Sequence, residues 1–148
     1  MPVVAEEEVV FCFTDVEGST RLAHELGAEF ADVNERHRRA VRAASAANGG
    51  REVSTHGDAF FLVFDDVAGA VAAAGEIHVG LAELPLRVRI GLHAGSAPVA
   101  DGTYLGTEVN RAARISDAAH GGQTLVSATV RELLDGHPLA DLGLHRLK

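Results

Sequence analysis

Apolar and polar positions along the chain recur with distinct periods. Val9 to Thr14 is a short run of apolar, β-branched and aromatic residues stopped by Asp15-Val16-Glu17-Gly18-Ser19-Thr20, the pattern of a buried strand running into a turn with Asp15 at its carboxyl end. Leu22, Leu26, Phe30, Val33, His37, Val41 and Ala44 then recur in steps of three and four, which predicts one long amphipathic helix ended by Asn48-Gly49-Gly50. Arg51 to Thr55 and Ala59 to Phe64 read as the strands of a hairpin, separated by His56-Gly57-Asp58 with Asp58 at the tip. A second helical stripe, Val67, Ala70, Val71, Ala74, Ile77 and Leu81, is closed by Pro85. Arg87 to His93 alternates before Gly95, and Ala97 to Ala100 reads as a return strand before the turn Asp101-Gly102. A helix from Val109 to Ala119, a strand from Thr124 to Val126, a helix from Ala128 to Leu134 and a last strand from Leu142 to Leu147 complete the series. The mixed order contains no internal repeat and no Gly-rich loop ending in Gly-Lys-Ser/Thr, and it predicts an α+β sandwich.

Composition narrows the class. The 148 residues fit one domain, 1–148, with Met1 to Glu8 as a flexible start and a C-terminus that reads as trimmed or frayed. A chain of this size buries roughly two thirds of its unfolded surface without disulfides or a structural metal. The lone Cys12, inside an apolar run, excludes an intrachain disulfide and reads as a small buried hydrophobe. A net charge of −8, from 21 acidic and 13 basic residues with no Lys/Arg cluster, lacks the footprint of nucleic-acid binding. Neither a long apolar run nor a signal-like start is present, so a cytoplasmic protein without direct membrane contact is expected. The eight histidines show no metal-ligand spacing and are expected mostly at surfaces and turns, with His56 beside Gly57-Asp58 as the one of interest.

Candidate chemistry gathers around carboxylates. An Asp beside Gly is usually a turn former, so Asp15 and Asp58 carry meaning only together. On adjacent strands about 4 Å apart they would repel by about 4 kcal/mol at an effective dielectric of 20, and a divalent cation relieves that. Oxygen ligands without Cys or His favour Mg²⁺ or Mn²⁺ over Zn²⁺. Val16 to Thr20 leads into a helix whose first N–H groups can cradle phosphate oxygens, although Gly-Ser-Thr at such a place also serves as a plain cap. Asn110 and Arg114 stand one helical step apart on one face, able to orient a ribose and to stabilise phosphoryl charge, or simply to solvate a surface helix.

The stretches Phe13-Thr14-Asp15-Val16-Glu17-Gly18-Ser19-Thr20, Gly57-Asp58-Ala59-Phe60-Phe61-Leu62-Val63-Phe64, Arg89-Ile90-Gly91-Leu92-His93-Ala94-Gly95 and Gly106 to Ile115 occur in the order of four successive family motifs. In them the chain resembles the class III nucleotide cyclases, the adenylate and guanylate cyclase catalytic domain, in its compact bacterial form, from Val9 to about Lys148. The resemblance implies a ferredoxin-like βαββαβ core, an antiparallel sheet with helices packed on it. It implies that Asp15 and Asp58, with the Val16 carbonyl, bind two divalent cations, Mg²⁺ or Mn²⁺, and that Glu17, Gly18, Ser19 and Thr20 lie along the triphosphate. Asn110 and Arg114 would hold ribose and triphosphate in the transition state, and Lys148 would reach the triphosphate. A head-to-tail homodimer with composite sites follows, as does conversion of ATP to 3′,5′-cyclic AMP and pyrophosphate.

Two positions depart from the family pattern. Ser54 stands where adenylate cyclases usually carry Lys and guanylate cyclases Glu, and Thr103 stands at the second base-reading position, commonly Asp. ATP is therefore the family default. The alternatives are a cyclase for another base, giving cyclic GMP or a cyclic pyrimidine nucleotide, and a catalytically silent cyclase-like module that dimerises and regulates a partner.

Overall fold

The computed structural model describes residues 5–134. Strand β1 (Ala5–Val16) lies at the centre, hydrogen-bonded on one side to β3 (Ala59–Phe64) and on the other to β4 (Val88–Ala100), both antiparallel. Having neighbours on both edges and apolar layers on both faces, it reads as a continuous apolar run rather than an alternating one. Val10, Cys12 and Val16 enter the larger core, and Val9 and Phe11 enter a smaller core on the other face. Cys12 is fully buried, and burial pushes its thiol up to about 12. The strand begins earlier than the apolar run indicates. Ala5 to Glu8, expected within a flexible start, pair with Ser96 to Val99 of β4, and Glu7 accepts a hydrogen bond from the Tyr104 hydroxyl at 3.2 Å.

The first helical stripe is broken in two. Helix α1 (Ser19–Leu26) passes through a single 3₁₀ turn, Gly27–Glu29, into α2 (Phe30–Ala47). Gly27 sits at φ 57°, a left-handed conformation that halts an α-helix while the apolar period runs on, so periodicity alone joined the two. The hairpin forms as expected from β2 (Arg51–His56) and β3, with a bulge between Glu52 and Ser54. Helix α3 (Val67–Gly80) starts at Asp66, whose side chain accepts from the Gly69 N–H at 2.6 Å.

Strand β4 is one continuous element where two were expected. Gly95 does not turn the chain; a Cβ there would lie 3.0 Å from a carboxylate oxygen of Glu108, and one at Gly91 would meet the Ser116 backbone. Both glycines admit helix α4 (Thr107–Ala118), which lies across β4 on the face away from α3. Between them come the turn Asp101-Gly102 and the short β5 (Thr103–Tyr104). Strand β6 (Thr124–Val126) then pairs with Ile90 to Leu92 in parallel, the one departure from an antiparallel sheet among the described residues, and α5 (Ala128–Leu133) follows. The sheet order β2-β3-β1-β4-β5 contains the βαββαβ core that the resemblance implies. The expected strand Leu142 to Leu147 and the candidate ligand Lys148 lie outside the described residues. Among the described residues no helix is long and apolar enough to cross a membrane.

Candidate active site

Asp15 and Asp58 come to the same end of two neighbouring strands. The β1–β3 ladder ends with Thr14 opposite Phe60, so Asp15 is the next residue out on β1 while Asp58 stands one residue before β3. Their partners differ. Asp15 lies opposite Arg89 of β4, which grips it with two hydrogen bonds, Nε to Oδ1 at 2.9 Å and Nη2 to Oδ2 at 2.5 Å. Both side chains are about three quarters buried, and the Asp15 carboxylate holds the Arg89 guanidinium above its ordinary value.

Asp58 is held differently. Arg38 of α2 donates from Nη2 to the Gly57 carbonyl at 2.7 Å, which fixes the hairpin turn, yet Asp58 Oδ2 is buried with no hydrogen-bond partner. A buried carboxylate oxygen left bare costs desolvation free energy that a cation would recover. His37, fully buried on α2, lies near enough for Asp58 to raise its pKa, but burial outweighs this and holds the imidazole below its ordinary value. Among the described residues no three His, Cys, Asp or Glu side chains converge as a cage, so the protein offers an incomplete set of hard oxygen donors.

The predicted phosphate segment leaves β1 at Val16, which is buried, and turns at Gly18, whose φ of 64° suits glycine. No side chain caps α1, so Ser19 and Thr20 stand at a helix start without a cap of their own. Glu17 is turned away from it, accepting from the Gly121 N–H at 2.9 Å, while its own N–H donates to the Arg87 carbonyl at 3.0 Å. The first bond fastens the segment to the loop after α4 and the second to the residue before β4.

Helix α4 buries Ala112, Ile115 and Ser116 and presents Asn110 and Arg114 on its exposed side. Its first turn carries Glu108, hydrogen-bonded to Nε2 of the buried His93. Ser54 is half-buried beside the bulge, paired with Phe61, and Thr103 is exposed on β5, paired with Ala100. Asp15 pairs with Arg89 and Thr103 with Ala100, eleven residues farther along β4 (100 − 89), so the two stand roughly 35 Å apart measured along an extended strand. One chain therefore does not bring Asp15 and Thr103 onto a single nucleotide.

Sequence reading named neither Arg89 nor His93 and Glu108 as site-building residues. Arg89 was detectable only through strand register, which sets a cation opposite Asp15. His37 and His93 are the two fully buried histidines among the described residues; His37 stands in the apolar stripe of the first predicted helix, whereas nothing in the pattern around His93 singles it out.

The family model described as adenylate and guanylate cyclase catalytic domain matches residues 1–145. Among solved structures, an adenylate/guanylate cyclase/hydrolase from Silicibacter pomeroyi aligns over 99% of this chain and 92% of its own, at TM-score 0.87 and 27% identity. An uncharacterized protein of Mycobacterium tuberculosis is 36% identical over 148 residues, covering 95% of this chain and 51% of its own length. A protein of Mycosarcoma maydis named adenylate cyclase is 33% identical over 166 residues, covering 87% of this chain and 6% of its own. The chain thus spans about half, or less, of the curated relatives it matches.

Proposed function

The chain belongs to the family of adenylate and guanylate cyclase catalytic domains, and from that premise we propose that it is a nucleotide cyclase converting ATP to 3′,5′-cyclic AMP and pyrophosphate. The observation that carries this reading is the bare, buried carboxylate oxygen of Asp58 beside the strand end that bears Asp15. Asp15, Asp58 and the Val16 carbonyl suit two divalent cations, Mg²⁺ or Mn²⁺, with the triphosphate completing their shells. When bound, such ions acidify the ribose 3′-hydroxyl and neutralise the departing pyrophosphate. Arg89 neutralises Asp15, so a cation held by that carboxylate would share it with the guanidinium.

The remaining work falls to this chain's side chains. The 3′-hydroxyl gives its proton to solvent water, and its oxygen forms a bond to the α-phosphorus as the bond from that phosphorus to the oxygen bridging to the β-phosphate breaks and pyrophosphate leaves, with charge growing on the phosphoryl oxygens. Arg114 stabilises that charge and Asn110, one helical step away on the same exposed side, orients the ribose. The uncapped start of α1 at Ser19 and Thr20 offers backbone donors to phosphate oxygens. Separation of Asp15 from Thr103 along β4 favours a head-to-tail homodimer, in which the carboxylates of one subunit meet Asn110, Arg114 and Thr103 of another. Adenine is the family's default base, while neutral Ser54 and Thr103 impose no charge on base choice.

The test is to incubate the purified protein separately with ATP, GTP, CTP and UTP, first with Mn²⁺ and then with Mg²⁺, and to identify cyclic products by mass. Cyclic AMP as the dominant product supports the reading, another cyclic nucleotide reassigns the base, and no product with any of the four overturns cyclase activity.

A further inference from the structure

His93 lies on β4 with 1% of its surface exposed, and it touches three other elements. Phe11 of β1 stacks on it at 6.5 Å between ring centroids, Glu108 of α4 is bonded to Nε2, and Ser127, which caps α5, lies 2.8 Å from Nδ1. The hydroxyls continue outward. Ser127 Oγ is 2.8 Å from Thr129 Oγ1, and Thr129 Oγ1 is 2.8 Å from the Ala94 carbonyl oxygen. Other charge near the group comes from Arg111, 4.0 Å from the second oxygen of Glu108.

Counting protons along this row assigns its direction. The Ala94 carbonyl only accepts, so Thr129 gives its one proton there. Ser127 must then give its one proton to Thr129, and no hydroxyl proton is left for Nδ1. Nδ1 therefore donates to Ser127, whose oxygen also accepts from the Val130 N–H at 3.4 Å. Glu108 is bonded through an ionised carboxylate, held below the usual range chiefly by this hydrogen bond from His93, so Nε2 donates as well. A neutral ring bare at Nδ1 would set lone pair against lone pair in one of the hydroxyl contacts, and a neutral ring bare at Nε2 would set its lone pair against the Glu108 carboxylate. The four contacts are satisfied together only when both ring nitrogens carry hydrogen.

We infer that His93 is an imidazolium that fastens the first turn of α4 to β4 and α5, and that it is a positioning residue for Asn110 and Arg114. The part of this inference that concerns catalysis rests on the cyclase reading; the fastening itself does not. Asn110 stands two residues beyond Glu108, and its N–H donates to the Gly106 carbonyl at 3.3 Å, so freeing Glu108 loosens the turn on which Asn110 is placed. The far end of α4 has its own tie, Gly121 to Glu17, which leaves the first turn dependent on His93.

Two measurements test it, the first without any variant. In protein carrying ¹⁵N-histidine, the His93 ring should show two protonated nitrogens at neutral pH; a ring with one bare nitrogen overturns the imidazolium assignment. The second compares Glu108→Ala and Glu108→Gln, at a side chain 31% exposed and so replaceable without opening the core. Gln keeps a carbonyl acceptor for Nε2 and Ala does not. Glu108→Ala should lower kcat by about 10- to 100-fold with KM for nucleotide within about twofold, while Glu108→Gln stays within about threefold of wild type. Amide exchange of Arg111 to Arg114 should quicken in Glu108→Ala, with Leu62 and Ile90 unchanged. Unchanged exchange in α4 overturns the fastening, as does a loss shared equally by the whole core. If wild-type protein makes no cyclic product, the cyclase reading falls, and the ring nitrogens and the α4 exchange decide the fastening on their own.

Discussion

The two faces of the sheet are closed by different means. Toward α2 and α3, Val10, Cys12, Leu62, Ile90 and Leu92 meet Val41, Ala70, Ala73 and Ile77 in one apolar layer, nearly all of it without exposure. Toward α4 the cover is partial and its fastenings are polar: glycines at 91 and 95 let the helix approach, and His93 holds it through Glu108. Phe13, which stacks on Phe61 at 4.3 Å between centroids, and Val53 remain only partly buried there. Apolar contact closes a face in many nearly equivalent ways, whereas a buried imidazole and two close approaches fix one placement. The first face suits stability and the second suits setting functional side chains at defined positions.

The largest expected effect separates the two roles. Asp15→Asn should lower kcat/KM by about 10³-fold or more while the melting temperature stays near that of wild type, because Asn still accepts a hydrogen bond from Arg89. Near-normal turnover would remove Asp15 from the site. Mixing Asp15→Asn with Arg114→Ala protein should restore about a quarter of wild-type activity, since half the dimers are mixed and each holds one intact site of two. No recovery after proven subunit exchange would dismiss the composite dimer.

The opposite substitution belongs to the closed face. Leu62→Ala, at a fully buried side chain, should cost about 2–5 kcal/mol in denaturant unfolding, with turnover per folded molecule nearly unchanged. A fall in turnover without a fall in stability would mean that the two faces do not divide the work as described.

The closed face was also the legible one. Apolar period located β1, the hairpin, α3 and most of α2 because burial writes itself into sequence at intervals of two or three to four residues. The misplacements have local causes: Gly27 breaks a helix inside an unbroken stripe, and Gly95 looks like a turn when it is a clearance for α4. Asp15, Asp58, Asn110 and Arg114 are candidates named through motif, as residues. What holds them was not legible, because Arg89, Arg38 and His93 act across register and across layers, where no spacing along the chain records the contact.

Ser54 offers a smaller effect on the open side. Paired with Phe61, it shares that residue's face of the sheet, and Ser54→Lys should raise the preference for ATP over GTP in kcat/KM by about ten- to two-hundred-fold, or roughly 1–3 kcal/mol, with metal dependence unchanged. An unaltered ratio in a folded variant would place base choice elsewhere, at Thr103 or in backbone groups.

The smallest effect is a pH dependence on the closed side. His78 of α3 is half-buried, with Nε2 2.8 Å from Thr124 Oγ1, and burial holds its pKa below the ordinary value near 6.5. Between the folded and unfolded values the unfolded chain binds the proton more readily, so stability falls as pH is lowered through that interval. The contribution is fully present above about pH 6.5, declines below it, and levels off once pH passes beneath the folded value. Glutamine keeps a hydrogen-bonding group without titrating. The unfolding free energies of wild type and His78→Gln, measured in urea from pH 8 to 5, should therefore differ by a constant above about pH 6.5 and diverge below it, wild type losing more. Parallel curves across the whole range would mean that α3 and β6 part far enough to admit water to His78 in the native state, and that the face described as closed is open at its edge.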